Sequence, residues 1–138
     1  MNAKEFLNRA FYINQRIDSK VEQIAMLNAL ANKVTTSYSM APASGSHNNH
    51  KMEDTIIKIV LMEEEINKDI DELLDARIEI YKAISSVGNH EYRLILEFRY
   101  LCFYSWDEIA EKMNCSHSNV YRVHGEALKE FSKVCSKL

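Results

Sequence analysis

The sequence contains few of the residues that interrupt helices, because only 3 glycines and 1 proline occur among its 138 residues. So few breaks favour long helices over a β architecture, which needs many turns. Hydrophobic residues account for 46 % of the chain, which is enough to build a core and argues against a wholly disordered protein. The composition therefore predicts an all-α fold.

Several features of particular protein classes are also missing. No stretch approaches the roughly 20 consecutive apolar residues of a membrane-spanning helix, and the first residues lack the apolar run of a signal peptide. The 3 cysteines show no metal-ligand spacing, and their odd number suits a reducing compartment. We therefore expect a cytoplasmic protein with no membrane partner, no metal site and no cofactor.

The charge of the chain is unevenly distributed, although its total is only −3. Residues 51–87 contain 5 basic and 10 acidic side chains, whereas residues 116–138 contain 4 basic and 2 acidic side chains. His117 and His124 would add positive charge to the C-terminal segment at lower pH. The C-terminal segment is therefore the candidate for contact with nucleic acid.

Two segments, residues 2–34 and 51–87, carry apolar side chains that recur every seven residues, which is the pattern of long amphipathic helices. Lys20 is the polar exception in the first segment, and Glu63 and Arg77 interrupt the second. The regular positions are occupied by Ala10, Ile13, Ile17, Ile24, Leu27, Ala31, Val34, Met52, Ile56, Ile59, Ile66, Ile70, Leu73, Ile80, Ile84 and Val87.

The segment between these two, residues 35–50, contains a cluster of Ser, Thr, Asn, Pro and Gly and has no apolar periodicity, so it predicts a loop. We expect residues 1–87 to form a long antiparallel helical hairpin, with an intermolecular coiled coil as the alternative. His47 and His50 in the loop have no Cys or carboxylate at a suitable spacing, so they do not predict a metal site. The acidic run that begins at residue 63 is typical of a solvated helix face.

The last part of the chain, residues 88–138, carries the strongest local signals. Ser105 and Glu108 have the spacing of a capping box, in which each side chain accepts from the backbone of the other residue. Asn114 tolerates the left-handed conformation that a sharp turn requires, and Ser116 is placed to cap the following helix. A short helix, a tight turn and a longer basic helix together predict a helix-turn-helix domain.

The apolar positions of this domain agree with the prediction. We expect Trp106 to pack against the preceding helix, near Phe98 or Phe103. The inner face of the two later helices is predicted to comprise Ile109, Ala110, Met113, Cys115, Val120, Val123, Leu128 and Phe131.

The outer face of the second helix is predicted to contact DNA, because the first turns of such a helix reach base edges in the major groove. Arg122 is suited to guanine and Asn119 to adenine, whereas His124 and Lys129 are better placed for the DNA backbone. The predicted contact residues are His117, Ser118, Asn119, Tyr121, Arg122, His124 and Lys129.

Residues 99–131, RYLCFYSWDEIAEKMNCSHSNVYRVHGEALKEF, resemble the fourth region of the primary bacterial sigma factors. The shared features are a serine-capped recognition helix and the pair Ala127 and Leu128. The whole chain is similar to small sigma-region-four-like proteins of Gram-positive phages and prophages, described as late-transcription regulators. In these the long helices flank a loop that precedes a Lys-Met-Glu-Asp segment, here Lys51–Asp54.

This resemblance implies sequence-specific binding to double-stranded DNA near a promoter, with RNA polymerase as a further candidate partner. Sigma recognition helices usually carry more Arg, Gln or Glu where this chain has His117, Ser118 and Asn119, so the DNA sequence it reads should differ. We expect a transcription regulator that acts as a homodimer. The alternatives are a phage DNA-packaging recognition subunit and a coiled-coil protein-interaction regulator that binds no DNA. An enzyme is not expected, because no nucleophile–base pair, phosphate-binding glycine loop or metal cluster is visible.

Overall fold

A computed structural model describes the backbone of residues 2–40 and 45–135, and the side chains of residues 2–33 and 50–135. The described residues form five helices and no strand, so the prediction of an all-α fold is confirmed. No helix in these ranges is both long and apolar enough to cross a membrane. The helices are α1 (Ala3–Met40), α2 (Gly45–Ser85), α3 (His90–Tyr100), α4 (Trp106–Met113) and α5 (His117–Cys135).

The predicted loop over residues 35–50 differs from the structure. Helix α1 continues to Met40 and helix α2 already begins at Gly45, while residues 41–44 lie outside the described residues. Ser, Thr and Asn each cost only about 0.7 kcal/mol or less relative to Ala within a helix. Because extending a formed helix is much easier than starting one, a polar composition alone does not end it.

The chain divides into two compact units, which we name by their position in the sequence. The terminal unit comprises Met1–Ile13 and Glu72–Leu138, and the middle unit comprises Asn14–Asp71. The first residues of the chain and the last part of α2 therefore share a compact unit with α3, α4 and α5. The sequence predicts a different division, with a helical hairpin over residues 1–87 and a helix-turn-helix domain over residues 88–138. That division concerns function rather than compactness, and it stays a prediction.

The terminal unit contains a continuous apolar core in which α3, α4 and α5 contact one another. Phe6 lies against Phe131 with ring centroids 6.1 Å apart, and Phe11 lies edge-on to Phe103 at 5.8 Å. Complete burial of a large apolar side chain stabilises the fold by roughly 1.5–3 kcal/mol. The largest fully buried side chains are Leu7, Ile80, Ile84, Val87, Ile95, Leu96, Tyr100, Ile109, Val120, Val123 and Phe131.

The middle unit explains why a lysine interrupts the apolar stripe of the first helix. Lys20 Nζ lies 2.7 Å from Asp69 Oδ2, and Arg16 Nη2 lies 3.1 Å from Asp69 Oδ1. The hydrogen bond to Lys20 lowers the pKa of Asp69, and the same bond raises the pKa of Lys20. Asp69 is only 8 % exposed, so it does not belong to the solvated acidic face on which the sequence pattern placed it.

Candidate nucleic-acid interface

Two serine side chains define where α4 and α5 begin. The Ser105 hydroxyl accepts a hydrogen bond from the Glu108 N–H at 3.2 Å, and the Ser116 hydroxyl accepts one from the Asn119 N–H at 3.2 Å. Each bond satisfies a backbone donor that would otherwise lack a partner in the first turn of the helix. Three residues, 114–116, separate the two helices.

The connection between α4 and α5 turns at Asn114. This residue has φ 54° and ψ 50°, the left-handed conformation, and its N–H donates to the carbonyls of Ala110 and Glu111. The Cys115 N–H also donates to the Ala110 carbonyl, at 3.0 Å. These bonds satisfy carbonyl groups at the end of α4 and fix the direction in which the chain enters α5.

Burial alternates around α5 with the period of a helix. Val120, Val123, Ala127 and Phe131 face the core of the terminal unit. The opposite side is polar, with Asn119 half-buried and the exposed positions occupied by His117, Ser118, Tyr121, Arg122 and Lys129.

Arg122 lies at the centre of this polar face and has partners on both sides. Its Nη2 donates to Asn119 Oδ1 at 2.6 Å, and its Nη1 donates to Glu126 Oε1 at 3.0 Å. Glu126 in turn accepts a hydrogen bond from the Tyr92 hydroxyl of α3 at 3.0 Å. The sequence pattern did not identify Glu126 or Tyr92, although the four-residue spacing from Arg122 to Glu126 is a known signal for an ion pair on a helix.

His117 is held by a contact with the neighbouring helix. Its Nε2 lies 2.5 Å from Asp107 Oδ1, so the first turns of α4 and α5 are joined at the surface. A carboxylate can only accept in such a bond, so the imidazole donates when Asp107 is ionised. Asp107 was not among the predicted site residues, because it is separated from His117 by a turn whose geometry the sequence does not give.

The structure contradicts one predicted contact. His124 is only 8 % exposed, and its Nε2 lies 2.7 Å from the Tyr100 hydroxyl. Burial, together with the charges of Lys4 and Arg99, lowers the pKa of His124 to about 4. His124 is therefore neutral and turned inward. The predicted contact of His124 with DNA is wrong, and so is the expectation that it adds positive charge at mildly acidic pH.

Trp106, the first residue of α4, packs against the part of α5 that contains Tyr121 and His124. The guanidinium of Arg99, on α3, lies 4.3 Å from the centre of the Trp106 ring. The aromatic neighbours of Trp106 are His124 at 4.6 Å and Tyr121 at 5.4 Å between ring centroids. The expected contact with α3 is therefore present, but its partner is Arg99. The two predicted rings pair elsewhere, Phe98 with Tyr104 and Phe103 with Phe11.

Comparison with known proteins identifies the family of the chain. Residues 33–132 match the family described as "Protein of unknown function (DUF1492)", and because this match covers more than half of the sequence, the chain belongs to that family. No curated protein and no solved structure matches the chain. The family description names no activity.

Proposed function

We propose that α4 and α5 form a helix-turn-helix of the sigma-region-four-like kind and that the protein binds double-stranded DNA in a sequence-specific manner. In this proposal α5 enters the major groove and α4 lies across it. The observation that carries the proposal is the polar side of α5 at Ser118, Tyr121 and Arg122. This side is exposed at the start of a capped helix whose other side is anchored by Val120 and Val123.

The side chains of this face have distinct roles in the proposal. Arg122 reads a guanine, because its planar guanidinium can donate to both acceptors on the major-groove edge of that base. Asn119 contributes to the same contact region, while Ser118 and Tyr121 bond bases or phosphates. Lys129, farther along α5 and exposed, binds the DNA backbone as a point charge.

We further propose that α1 and α2 form an antiparallel hairpin that serves for assembly. Within the middle unit, Arg16 contacts Asp69, while Lys20, one turn later in α1, contacts Asp69 and also Glu65, one turn earlier in α2. This order of contacts supports an antiparallel pairing. The biological role that we propose is a phage or prophage transcription regulator that acts near a promoter as a homodimer, with RNA polymerase as a candidate partner.

A second function has its own support. The middle unit exposes many apolar side chains along α1 and α2, which is the usual property of a surface that binds another protein. A coiled-coil interaction protein that does not bind DNA would also use this surface. The exposed side chains are Val21, Met26, Leu30, Ile56, Ile57, Val60, Leu61 and Ile70.

The proposed function predicts different effects for two substitutions in α5. A preferred duplex is first selected from random DNA with the wild-type protein, and affinities are then measured for this duplex and a scrambled one. Arg122→Ala should weaken binding to the selected duplex by about 1–3 kcal/mol and change binding to the scrambled duplex much less. Lys129→Ala should weaken binding to both duplexes by similar amounts, because a phosphate contact carries no sequence information.

Lys51→Ala is the matched control, since Lys51 is an exposed lysine of the middle unit, and its affinities should equal those of the wild type. If the wild-type protein binds no duplex even at low salt, where phosphate contacts are strongest, DNA binding is refuted and the protein-interaction function is favoured. Equal losses on both duplexes for Arg122→Ala would remove Arg122 from base reading.

A further inference from the structure

A series of hydrogen bonds connects α3 to the exposed face of α5. It runs from the Tyr92 hydroxyl to Glu126 Oε2, from Glu126 Oε1 to Arg122 Nη1, and from Arg122 Nη2 to Asn119 Oδ1, with lengths of 3.0, 3.0 and 2.6 Å. All four residues belong to the terminal unit. We refer to these four side chains as the Tyr92 network.

The network holds the guanidinium of Arg122 between two acceptors. Asn119 lies about one helical turn before Arg122 and Glu126 about one turn after it, so the acceptors flank the guanidinium on both sides along α5. Each terminal nitrogen of an arginine has two N–H groups, and the network uses one on each. One N–H on each terminal nitrogen is then left to donate to O6 and N7, the two acceptors that guanine presents in the major groove.

Tyr92 gives this arrangement an anchor outside α5. An exposed ion pair between residues four apart on one helix restrains its side chains only weakly, because both are long and solvated. Here the second oxygen of Glu126 is bound by a hydroxyl on a different helix, α3. The hydrogen bond to Glu126 raises the pKa of Tyr92, so the hydroxyl keeps its proton at neutral pH and continues to donate.

We infer that Tyr92 and Glu126 are positioning residues that set the base specificity of Arg122. They hold its guanidinium in the orientation that reads a guanine edge. An arginine without this restraint loses more rotamer entropy on binding and also reaches phosphates more readily. The inference rests on the proposed DNA binding and adds a determinant that lies on α3 rather than on the recognition helix.

The sharpest probe of this inference is Tyr92→Phe, which removes one hydroxyl and leaves the charge of the protein unchanged. Glu126→Gln is less suitable, because removing a carboxylate near DNA would also strengthen binding to every duplex. For Tyr92→Phe the dissociation constant for the selected duplex should rise roughly three- to tenfold, the cost of ordering one long side chain that is no longer held before binding. The constant for the scrambled duplex should stay at its wild-type value, and the unfolding temperature should change little, because the lost bond is only part-buried.

Two further variants complete the test. Tyr12→Phe makes the same chemical change at a tyrosine that is 57 % exposed, and it should leave both dissociation constants unchanged. In an Arg122→Ala background, Tyr92→Phe should cause no additional loss, because the residue that it positions is absent.

The inference is overturned if Tyr92→Phe binds both duplexes as the wild type does. It is also overturned if the variant weakens both equally while lowering the unfolding temperature, since Tyr92 would then have only a structural role. An undiminished effect in the Arg122→Ala background would overturn it as well. A wild-type protein that prefers no duplex would instead refute the proposed function itself, so the two failures are distinguishable.

Discussion

At the scale of single residues, the buried pair of Tyr100 and His124 has the clearest consequence for stability. Burial raises the pKa of the Tyr100 hydroxyl to about 12 and lowers the pKa of His124 to about 4. Both side chains are therefore neutral at physiological pH. Their atoms lie 2.7 Å apart, so one hydrogen bond satisfies two polar groups inside the core of the terminal unit.

This pair predicts a loss of stability in mild acid. An unfolded histidine has a pKa near 6.5, so between that value and about 4 the unfolded chain binds a proton that the folded protein does not. The stabilising contribution is present above the unfolded pKa and is lost as the pH falls toward the folded pKa. Chemical unfolding should show a loss of about 2 kcal/mol from His124 between about pH 7 and about pH 4.5.

Carboxylates also titrate in this range, so the effect of His124 is obtained by comparison with His124→Gln, whose amide does not titrate. This variant should be less stable at neutral pH but should lose about 2 kcal/mol less on acidification. His90→Gln, at an exposed position, should keep the pH dependence of the wild type. Equal losses for the wild type and His124→Gln would contradict the low pKa.

At the scale of elements, the turn at Asn114 determines how α4 leads into α5. Asn114→Ala should lower the free energy of unfolding by about 1 kcal/mol, because a Cβ without a compensating polar group is disfavoured in the left-handed conformation. Asn114→Gly should be at least as stable as the alanine variant, since glycine adopts this conformation without steric cost. Urea unfolding of both variants gives the comparison.

Glu111→Ala is the control for this prediction, because Glu111 is exposed and lies in the last turn of α4, where its backbone is still helical. Its unfolding free energy should change little, since alanine is a good helix former. The assigned turn would be wrong if Asn114→Gly were clearly less stable than Asn114→Ala, which is the order expected for a residue in a regular helix.

Local features of the fold were accessible from the sequence, whereas contacts between distant residues were not. Ser105, Asn114 and Ser116 act through neighbours within a few residues, so their spacing carries the information. The position of His124 also had a local signal, because it falls on the same helical face as Val120 and Ala127. The polarity of histidine instead favoured an exposed position. Its burial is made favourable by the hydrogen bond with Tyr100, 24 residues away.

Two other contacts show the same limit. The partner of Lys20 is Asp69, 49 residues away, and periodicity identified the lysine as an exception without identifying the residue that compensates it. The anchor of Arg122 is the Tyr92–Glu126 bond, which spans 34 residues and two helices. Hydrogen-bond partners of this kind depend on how helices pack, and no local pattern encodes that.

At the scale of the whole molecule, the apolar surface of the middle unit predicts self-association. Four neighbouring apolar side chains of α2 are each 47–57 % exposed, namely Ile56, Ile57, Val60 and Leu61. Met26 and Leu27 of α1 border an open groove of about 500 Å³ together with Leu61. Burying such a surface against a second copy is favourable by roughly 25 cal/mol for each Å² of apolar area.

We therefore expect a homodimer at micromolar concentration in sedimentation equilibrium. The double substitution Ile57→Lys with Val60→Lys should shift the mass to that of a monomer, because charged side chains would have to leave water at the interface. Glu111→Lys, at an exposed position of α4 outside this surface, is the control for added positive charge and should leave the dimer intact. A wild-type protein that sediments as a monomer would refute the proposed dimer.

The contact of Lys20 with Asp69 also bears on which helices α1 accepts as partners. A helix of another protein that packed on the apolar stripe of α1 would meet Lys20 there. A foreign helix without a carboxylate at the matching position would cover Lys20 and leave its charge unpaired, which is costly. Asp69 on α2 supplies that carboxylate at 2.7 Å, so we expect the pair to favour the chain's own second helix over such competitors.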